Sequence, residues 1–279
     1  MNCSGFFCWC REKIINIIVV VVFLLFILFV IFVAGISSNF QSIYVNADTL
    51  STKKIGWGIQ RGKNHAQPNL GIENLKIINE FNGIAMGNNE NKDIYLTFDN
   101  GYEAGYTEKI LDVLKENNVK AAFFITGQYL KTSEDLVKRM IKEGHIVGNH
   151  TMKHLSMPTC SNETIKNEVM TMHKEIYEKC NYEMKYIRPP KGEFSEASIA
   201  CTNSLGYTTV MWSFAYDDWE EDKQGREEYG KKKIYDNLHS GEVMLLHATS
   251  KDNANILDEV IKETKKQGYT FKSLDEFER

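Results

Sequence analysis

The chain has 279 residues, of which 43% are hydrophobic and 25% are charged, and its formal net charge is -4. This composition suits one large buried core and is not that of a disordered, collagen-like or coiled-coil protein. The slight excess of acidic residues and the lack of a long Lys/Arg run argue against nucleic acid as a partner.

The N-terminal part contains an apolar stretch that is long enough to cross a membrane. From Ile14 to Ile36 the sequence is almost entirely apolar, and at ~1.5 Å per residue a helix of this length spans a ~30 Å hydrocarbon layer. A cleaved signal peptide is the alternative, but signal cores are typically only ~7 to 15 residues long. Residues 14–36 are therefore predicted to be a transmembrane anchor.

Basic residues before this stretch predict its orientation. Arg11 and Lys13 precede it, so the positive-inside rule places residues 1–13 in the cytoplasm and the rest of this single-pass protein on the extracytoplasmic side. Residues 37–92 are rich in Asn, Gly and Lys and lack sustained periodicity, which indicates a tether and an N-terminal extension of the next domain. Within it, Gly56-Trp57-Gly58 is a candidate to pack on that domain or line a groove.

After residue 92, short apolar runs alternate with amphipathic patterns. Strand-like runs lie at 94–98, 121–126, 145–148, 186–188, 208–214, 243–246 and 269–271. Helical patterns lie at 106–117, 133–143, 161–179, 195–204, 232–239 and 252–266. About seven strand-helix units predict an α/β domain over residues 93–279 with a parallel sheet, in the form of a distorted (β/α)7-type barrel. A doubly wound open sheet is the alternative.

Polar side chains occur where several of these strand-like runs end. Asp99 ends the first run, and Arg188 and His247 end two others, while His150 and Asp218 follow two more. In a parallel barrel the carboxyl ends of the strands face one mouth, where α/β enzymes keep their catalytic groups. We therefore expect side chains from distant parts of the sequence to meet in one site.

Two histidines have the spacing of half a metal site. His150 and His154 are four residues apart, a spacing that puts both imidazoles on one side of a helical turn. Alone, this spacing is more often structural, but here it directly follows a strand. Zinc is the expected divalent ion for imidazole and oxygen ligands, and the sequence leaves cobalt, manganese and nickel as alternatives.

The other residues at the strand ends suit acid–base catalysis. His247 ends an apolar run and could act as a general acid, with a buried structural histidine as the alternative. Arg188 precedes two prolines, which fix the backbone and hold the side chain in place. A pair with Asp99 would orient that carboxylate and keep it ionised. Asp218 and Trp219 suit the same site as an acidic neighbour of a histidine and an aromatic wall.

Five motifs follow one another from residue 97 to residue 247. They read Thr97-Phe98-Asp99-Asn100-Gly101, His150-Thr151-Met152-Lys153-His154, Arg188-Pro189-Pro190-Lys191-Gly192, Asp218-Trp219 and Leu245-Leu246-His247. In this order they resemble the motifs of the polysaccharide deacetylases with a NodB homology domain, carbohydrate esterase family 4. The longer runs Thr-Phe-Asp-Asn-Gly-Tyr-Glu and Arg-Pro-Pro-Lys-Gly-Glu-Phe-Ser-Glu are similar to the PdaA-type branch, the delta-lactam-biosynthetic peptidoglycan deacetylases of spore-forming bacteria.

The resemblance implies a catalytic role for four residues. Asp99 would be the catalytic base and Arg188 the residue that holds it. His247 would be the catalytic acid, and Asp218 would tune its pKa. The substrate pocket would be formed by Trp219, Leu245, Pro189 and Tyr102.

The resemblance also implies a metal site with one departure from the family pattern. His150 and His154 would be ligands of a divalent metal, most simply Zn²⁺. The general family motif has a second aspartate ligand at the position of Asn100. Because an amide oxygen is a poorer ligand than a carboxylate, Asn100 is expected to be a weak ligand.

By resemblance, the protein is expected to be a metal-dependent hydrolase that removes N-acetyl groups from peptidoglycan. The expected sugar is peptide-free N-acetylmuramic acid, on the way to the muramic delta-lactam of the spore cortex, after a muramoyl-alanine amidase has acted. One alternative is an N-acetylglucosamine deacetylase of peptidoglycan or a chitin-like glycan. Another is a membrane-tethered glycan-binding protein with a decayed metal site, which Asn100 suggests and the intact Asp99 and His247 oppose.

Overall fold

The computed structural model describes residues 50–279. The predicted cytoplasmic segment 1–13 and the predicted anchor 14–36 lie outside the described residues, as does the first part of the predicted tether. Within residues 50–279, no helix has the length and apolar character needed to span a bilayer. The described part of the predicted extension belongs to the same compact unit as the domain that follows it.

The parallel sheet predicted from the sequence is present. In residues 50–279 the strands are β1 (Ile55–Gly56), β2 (Asp93–Asn100), β3 (Ala122–Ile125), β4 (Ile146–Asn149), β5 (Tyr186–Ile187), β6 (Glu193–Phe194), β7 (Thr208–Thr209), β8 (Glu242–His247) and β9 (Thr270–Phe271). The main sheet has the order β7-β5-β4-β3-β2-β8, and all of its ladders are parallel. The short β9 adds to the start of β2.

One chain segment contacts both edges of this sheet and curls it. Thr208 and Thr209 pair with β5, whereas Phe214 forms a bridge to Met244 in β8. Between these points the chain leaves the edge of β5, because the backbone groups of Thr209 and Met211 form hydrogen bonds with Ile84 of the extension. The expected distorted barrel is therefore a curled parallel α/β sheet. The run 208–214 forms only a two-residue ladder and not one long strand, whereas the strand predicted at 269–271 is present as β9 and pairs with β2.

The helices surround the sheet. In the described residues they are α1 (Ile72–Glu80), α2 (Thr107–Glu116), α3 (Gly127–Thr132), α4 (Glu134–Lys142), α5 (Asn162–Cys180), α6 (Glu196–Ser204), α7 (Glu227–Tyr235) and α8 (Lys251–Lys266). Five of the predicted helices are confirmed within one residue at either end, as α2, α4, α5, α6 and α8. Two helices were not predicted, because α1 buries only Ile78 and α3 has only six residues.

The predicted position of the helix at 232–239 was wrong. The observed helix, α7, begins at Glu227 and ends at Tyr235, so Gly230 lies inside it. A side chain at Gly230 would come within 2.8 Å of the hydroxyl of Tyr216. The glycine therefore serves close packing and does not mark the start of the helix.

The central strand β2 separates the apolar core from the catalytic side of the sheet. All eight of its residues are buried, as expected for a parallel strand covered on both faces. Ile94, Leu96 and Phe98 join the large core beneath the helices. Because side chains alternate along a strand, Thr97 and Asp99 point to the inner face of the curled sheet.

The N-terminal extension packs beside the third motif. β1 pairs antiparallel with β6, which joins Ile55 to Phe194. The indole Nε1 of Trp57 donates a hydrogen bond to the carbonyl of Trp212 at 2.8 Å, and its backbone N–H donates to Gly192 at 2.9 Å. The extension thus forms part of the wall around the carboxyl ends of the strands.

A glycine in β4 leaves space for an aromatic ring below the site. A Cβ added at Gly148 would lie 2.5 Å from the ring of Phe124, its partner in β3. We predict that Gly148→Ala lowers the free energy of unfolding by about 1–3 kcal/mol, as overpacking does in other cores. Urea unfolding of the purified protein measures it. Gly56→Ala is the matched control, because a Cβ there meets nothing within 4 Å, and equal stability of the two variants would contradict the prediction.

Candidate active site

A cleft of about 1060 Å³ opens at the carboxyl ends of the strands. Its lining includes Asp99, His150, His154, Trp219, Leu245 and His247. Side chains that are separated by up to 148 positions in the sequence therefore meet in one place, as predicted. Arg188 and Asp218 lie directly behind this lining and are fully or almost fully buried.

Arg188 holds Asp99 in a fixed position. Its Nη1 donates to Oδ1 of Asp99 at 2.8 Å, its Nη2 to the hydroxyl of Thr97 at 2.9 Å, and its Nε to the carbonyl of Val210 at 3.0 Å. The guanidinium also lies 4.2 Å from the ring centre of Phe124. These contacts hold the guanidinium of Arg188 in one orientation, and its hydrogen bond then holds the carboxylate of Asp99 in place.

The same ion pair sets the charge of Asp99. Burial, the largest single effect, favours the neutral acid, but the charge and hydrogen bond of Arg188 together with the neighbouring His150 and His247 lower the pKa of Asp99 below its usual value. Asp99 is thus a carboxylate at neutral pH even though it is buried. An ionised carboxylate at the edge of a cleft can accept a proton.

The histidine pair, His150 and His154, lies beside this carboxylate. Nε2 of His150 is 3.5 Å from Oδ2 of Asp99, and the two imidazole rings are 4.8 Å apart. Nδ1 of His150 lies 2.8 Å from the carbonyl of Arg188. Because a carbonyl only accepts, Nδ1 carries the hydrogen and Nε2 keeps its lone pair.

The segment between the two histidines is not the helical turn that their spacing suggests. Thr151 and His154 both have positive φ, at 66° and 56°. The turn is held by polar side chains, since Asn149 accepts from the backbone N–H of Thr151 and Thr151 accepts from that of His154. The prediction of one shared face was right, but the prediction of a helix was wrong.

His247 is held by Asp218. Its Nδ1 lies 2.7 Å from Oδ1 of Asp218, and its backbone N–H donates to Oδ2 at 2.8 Å. Nδ2 of Asn253 donates to the same Oδ2 at 2.6 Å. Burial, the largest single effect, disfavours the imidazolium, but the charge and hydrogen bond of Asp218 together with the charge of Asp99 raise the pKa of His247. A histidine with a raised pKa can donate a proton at neutral pH.

The predicted base and acid are direct neighbours in the sheet. Asp99 in β2 pairs with His247 in β8. Residues in this register have side chains on the same face of the sheet, so both groups face the same cleft. The sheet itself therefore sets their separation.

The comparisons with known proteins agree with this geometry. Residues 86–210 match the family model of polysaccharide deacetylases. Over 235 residues the chain is 43% identical to the peptidoglycan-N-acetylmuramic acid deacetylase PdaA of Bacillus subtilis, which covers 82% of this chain and 88% of that protein. The chain belongs to the polysaccharide deacetylase family.

A solved structure of the same relative and one further relative support the family membership. The solved structure of Bacillus subtilis PdaA, a family 4 carbohydrate esterase, matches with a TM-score of 0.80 at 42% identity, over 82% of this chain and 98% of that one. A peptidoglycan-N-acetylglucosamine deacetylase of Bacillus cereus is 35% identical over 198 residues, which are 68% of this chain and 90% of that protein. The deacetylase described here thus has relatives named for each of two sugars.

The donor groups of the deacetylase suit a divalent metal. Burial lowers the pKa of His150, and burial followed by the charge of His150 lowers that of His154 to about 4. Both imidazoles are therefore neutral at pH 7, the form that binds metals. The bond from His150 to the carbonyl of Arg188 is also the support that metal-binding histidines normally have. Within residues 50–279, no three His, Cys, Asp or Glu side chains form a complete ligand group.

Asn100 lies on a different side of β2 from Asp99. It is fully buried and is absent from the lining of the cleft. Its Nδ2 is 3.5 Å from the hydroxyl of Thr107, and its Oδ1 is buried without a hydrogen-bond partner in the described structure. A weak ligand role for Asn100 stays a prediction.

Three of the four predicted pocket residues line the cleft. Trp219 is 53% exposed, with its ring 5.5 Å from that of His247. Leu245 and Tyr102 also belong to the lining, whereas Pro189 is buried outside it.

Trp57 lines the cleft wall, as its segment was expected to do. Three residues that complete the site were not predicted: Thr97 and Asn253 hold Arg188 and Asp218 in place, and Trp212 forms part of the cleft wall. Thr97 stands two positions before the base on the same face of β2, which was a usable signal. No local pattern pointed to Trp212, because its position depends on the bend after β7.

Removing the cation of Arg188 should change the acidic limb of the pH profile. In Arg188→Met, burial of Asp99 loses the main effect that opposes it, so the pKa of Asp99 rises and the acidic limb of kcat/KM moves to higher pH. The loss of one member of a buried pair should also cost about 3–5 kcal/mol of stability. Arg188→Lys, which keeps the charge, is the control and should move the limb less. An acidic limb that stays in place in Arg188→Met would contradict this assignment.

Asp218 should control the alkaline limb. Its charge raises the pKa of His247, so Asp218→Asn should lower that pKa and move the alkaline limb of kcat/KM to lower pH. Asp217→Asn is a matched control, since Asp217 also lines the cleft but pairs with Arg226 at 3.1 Å. Equal shifts in the two variants would show that the effect of Asp218 is general and not specific to its contact with His247.

Proposed function

We propose that this protein hydrolyses the N-acetyl groups of peptidoglycan, on N-acetylmuramic acid residues that carry no peptide. The observation that carries the proposal is that Asp99, with its pKa lowered, and His247, with its pKa raised, stand at adjacent strand positions in one cleft. Two titratable groups whose surroundings push their pKa values in opposite directions suit the base and acid steps of one reaction. The relative that is 43% identical is named for this sugar.

Each step of the hydrolysis has a residue that suits it. Asp99 accepts a proton from the attacking water, while Arg188 keeps the carboxylate ionised and oriented. The C–N bond of the amide then breaks, and His247 donates its proton to the departing amine. Water is consumed, and the products are acetate and the free amino sugar. Trp219 and Leu245 would enclose the acetyl methyl group.

His150 and His154 would hold the divalent metal, and we propose Zn²⁺ as the ion. When bound, it would polarise the acetyl carbonyl as a Lewis acid. The donor chemistry of two neutral imidazoles supports zinc and does not by itself distinguish it from cobalt, manganese or nickel.

The chemistry of the product supports a place in delta-lactam synthesis. The freed amine lies on the ring carbon next to the one that bears the lactyl ether, and condensation of that amine with the lactyl carboxyl, with loss of water, closes a lactam. The carboxyl must be free for this step, so a muramoyl-alanine amidase would act earlier. We propose that the enzyme works in spore cortex formation, tethered by residues 14–36 with its catalytic domain on the extracytoplasmic side.

Acetate release distinguishes this proposal from its rivals. Wild-type protein should release acetate from amidase-treated peptidoglycan and much less from untreated peptidoglycan or N-acetylglucosamine oligomers. Asp99→Asn should lose about 10²- to 10⁴-fold of the rate, as expected for loss of a general base. Circular dichroism checks the fold, and Asp217→Asn serves as the control for a cleft carboxylate outside the proposed chemistry.

Each contrary result points to one alternative. Release mainly from N-acetylglucosamine oligomers would favour the activity for which the Bacillus cereus relative is named. Binding of glycan without acetate release, in protein loaded with zinc, would favour a binding protein. Full activity of Asp99→Asn would remove Asp99 from the mechanism.

A further inference from the structure

Lys191 places an unpaired positive charge in the cleft. It is exposed and belongs to the cleft lining. Within residues 50–279, no carboxylate lies within 4 Å of its ammonium group. Neither the proposed base and acid nor the histidine pair requires a lysine at this position, so the charge is not explained by the hydrolysis itself.

The acid closest to Lys191 in sequence is already paired. The carboxylate of Glu193 accepts from Nζ of Lys54 at 3.0 Å and from the hydroxyl of Ser156. Since these bonds hold Glu193 on the extension side, Lys191 keeps its charge available to a ligand.

The backbone at Lys191 is held in an unusual conformation. Its φ is 61°, in the left-handed region that costs a non-glycine residue about 1 kcal/mol or more. Two prolines precede it, and Gly192 follows with a φ of 64°. A Cβ at Gly192 would lie 2.7 Å from the ring of Trp212. The carbonyl of Gly192 accepts a hydrogen bond from the backbone N–H of Trp57 at 2.9 Å. The base of the lysine side chain is therefore fixed.

Lys191 also lines the same cleft as Asp99, His154 and His247. Arg61, another cation of the lining, donates to the carbonyl of Ala215 at 2.9 Å.

The proposed substrate has an anion at a matching position. In muramic acid the lactyl ether occupies the ring carbon beside the acetamido group, so its carboxylate stays near the groups that act on the amide. It is an anion only when the peptide is absent, because peptide attachment turns it into a neutral amide. N-acetylglucosamine lacks it altogether.

The geometry points to Lys191 as the residue that recognises the free lactyl carboxylate of the glycan and so selects peptide-free muramic acid. This inference rests on the proposed function and adds a specificity-determining residue to it. The contact is an ion pair in a partly enclosed cleft, where a hydrogen bond to a charged group contributes more than a neutral one.

The test compares two glycans that differ at one group. The first is amidase-treated peptidoglycan with its free lactyl carboxylate, and the second is the same material with that carboxyl converted to an N-methylamide. Acetate release gives kcat/KM for each, and the ratio of the two values measures the preference for the anion. Lys191→Met should lower this ratio about 10- to 100-fold, mainly through KM. Lys191→Arg should retain most of the preference, and high salt should weaken it in the wild type.

Lys153→Met is the matched control, since it removes the other lysine of the lining and should keep the wild-type ratio. An unchanged ratio in Lys191→Met, or equal losses in both variants, would overturn the inference. Failure of the proposed function looks different, because the wild type itself would then release no acetate from either muramic acid glycan.

Discussion

The buried ion pair between Arg188 and Asp99 is the interaction on which the active site depends. Arg188 is completely buried, and its guanidinium bonds reach β2, the segment after β7 and the ring of Phe124. A buried cation is stable only when its partners are in place, so these elements must assemble together. The backbone carbonyl of the same residue fixes His150. One side chain thus positions the proposed base, and its own backbone positions a proposed metal ligand.

Charged neighbours shift the pKa values of Asp99 and His247 in opposite directions. Asp99 faces a cation and its pKa is lowered, whereas His247 faces the carboxylate of Asp218 and its pKa is raised. Burial acts against the charged form in both cases, and the nearby charges and hydrogen bonds together exceed it. Because β2 and β8 are neighbours, the two groups remain side by side without a flexible loop between them.

The periodic part of the sequence was a reliable guide to the fold and to the site. Buried runs such as 94–98 predicted strands, and their polar ends predicted the meeting of Asp99, Arg188 and His247, because parallel strands share one carboxyl edge. The extension was harder to predict. Its helix α1 has one buried side chain, and the pairing of β1 with β6 joins residues far apart in the chain.

The sequence by itself determined the strand–helix order, the residues at the strand ends and the family motifs, since these depend on local periodicity and residue chemistry. Only the tertiary structure decided the bend of residues 208–214, the positive φ of Thr151 and His154, and the place of Asn100 outside the cleft lining. The bend depends on backbone bonds to Ile84, which join residues that no local pattern connects. The turn after Asn149 and the place of Asn100 depend on short-range caps and on strand alternation, but which face each strand end buries is decided only when the sheet is packed.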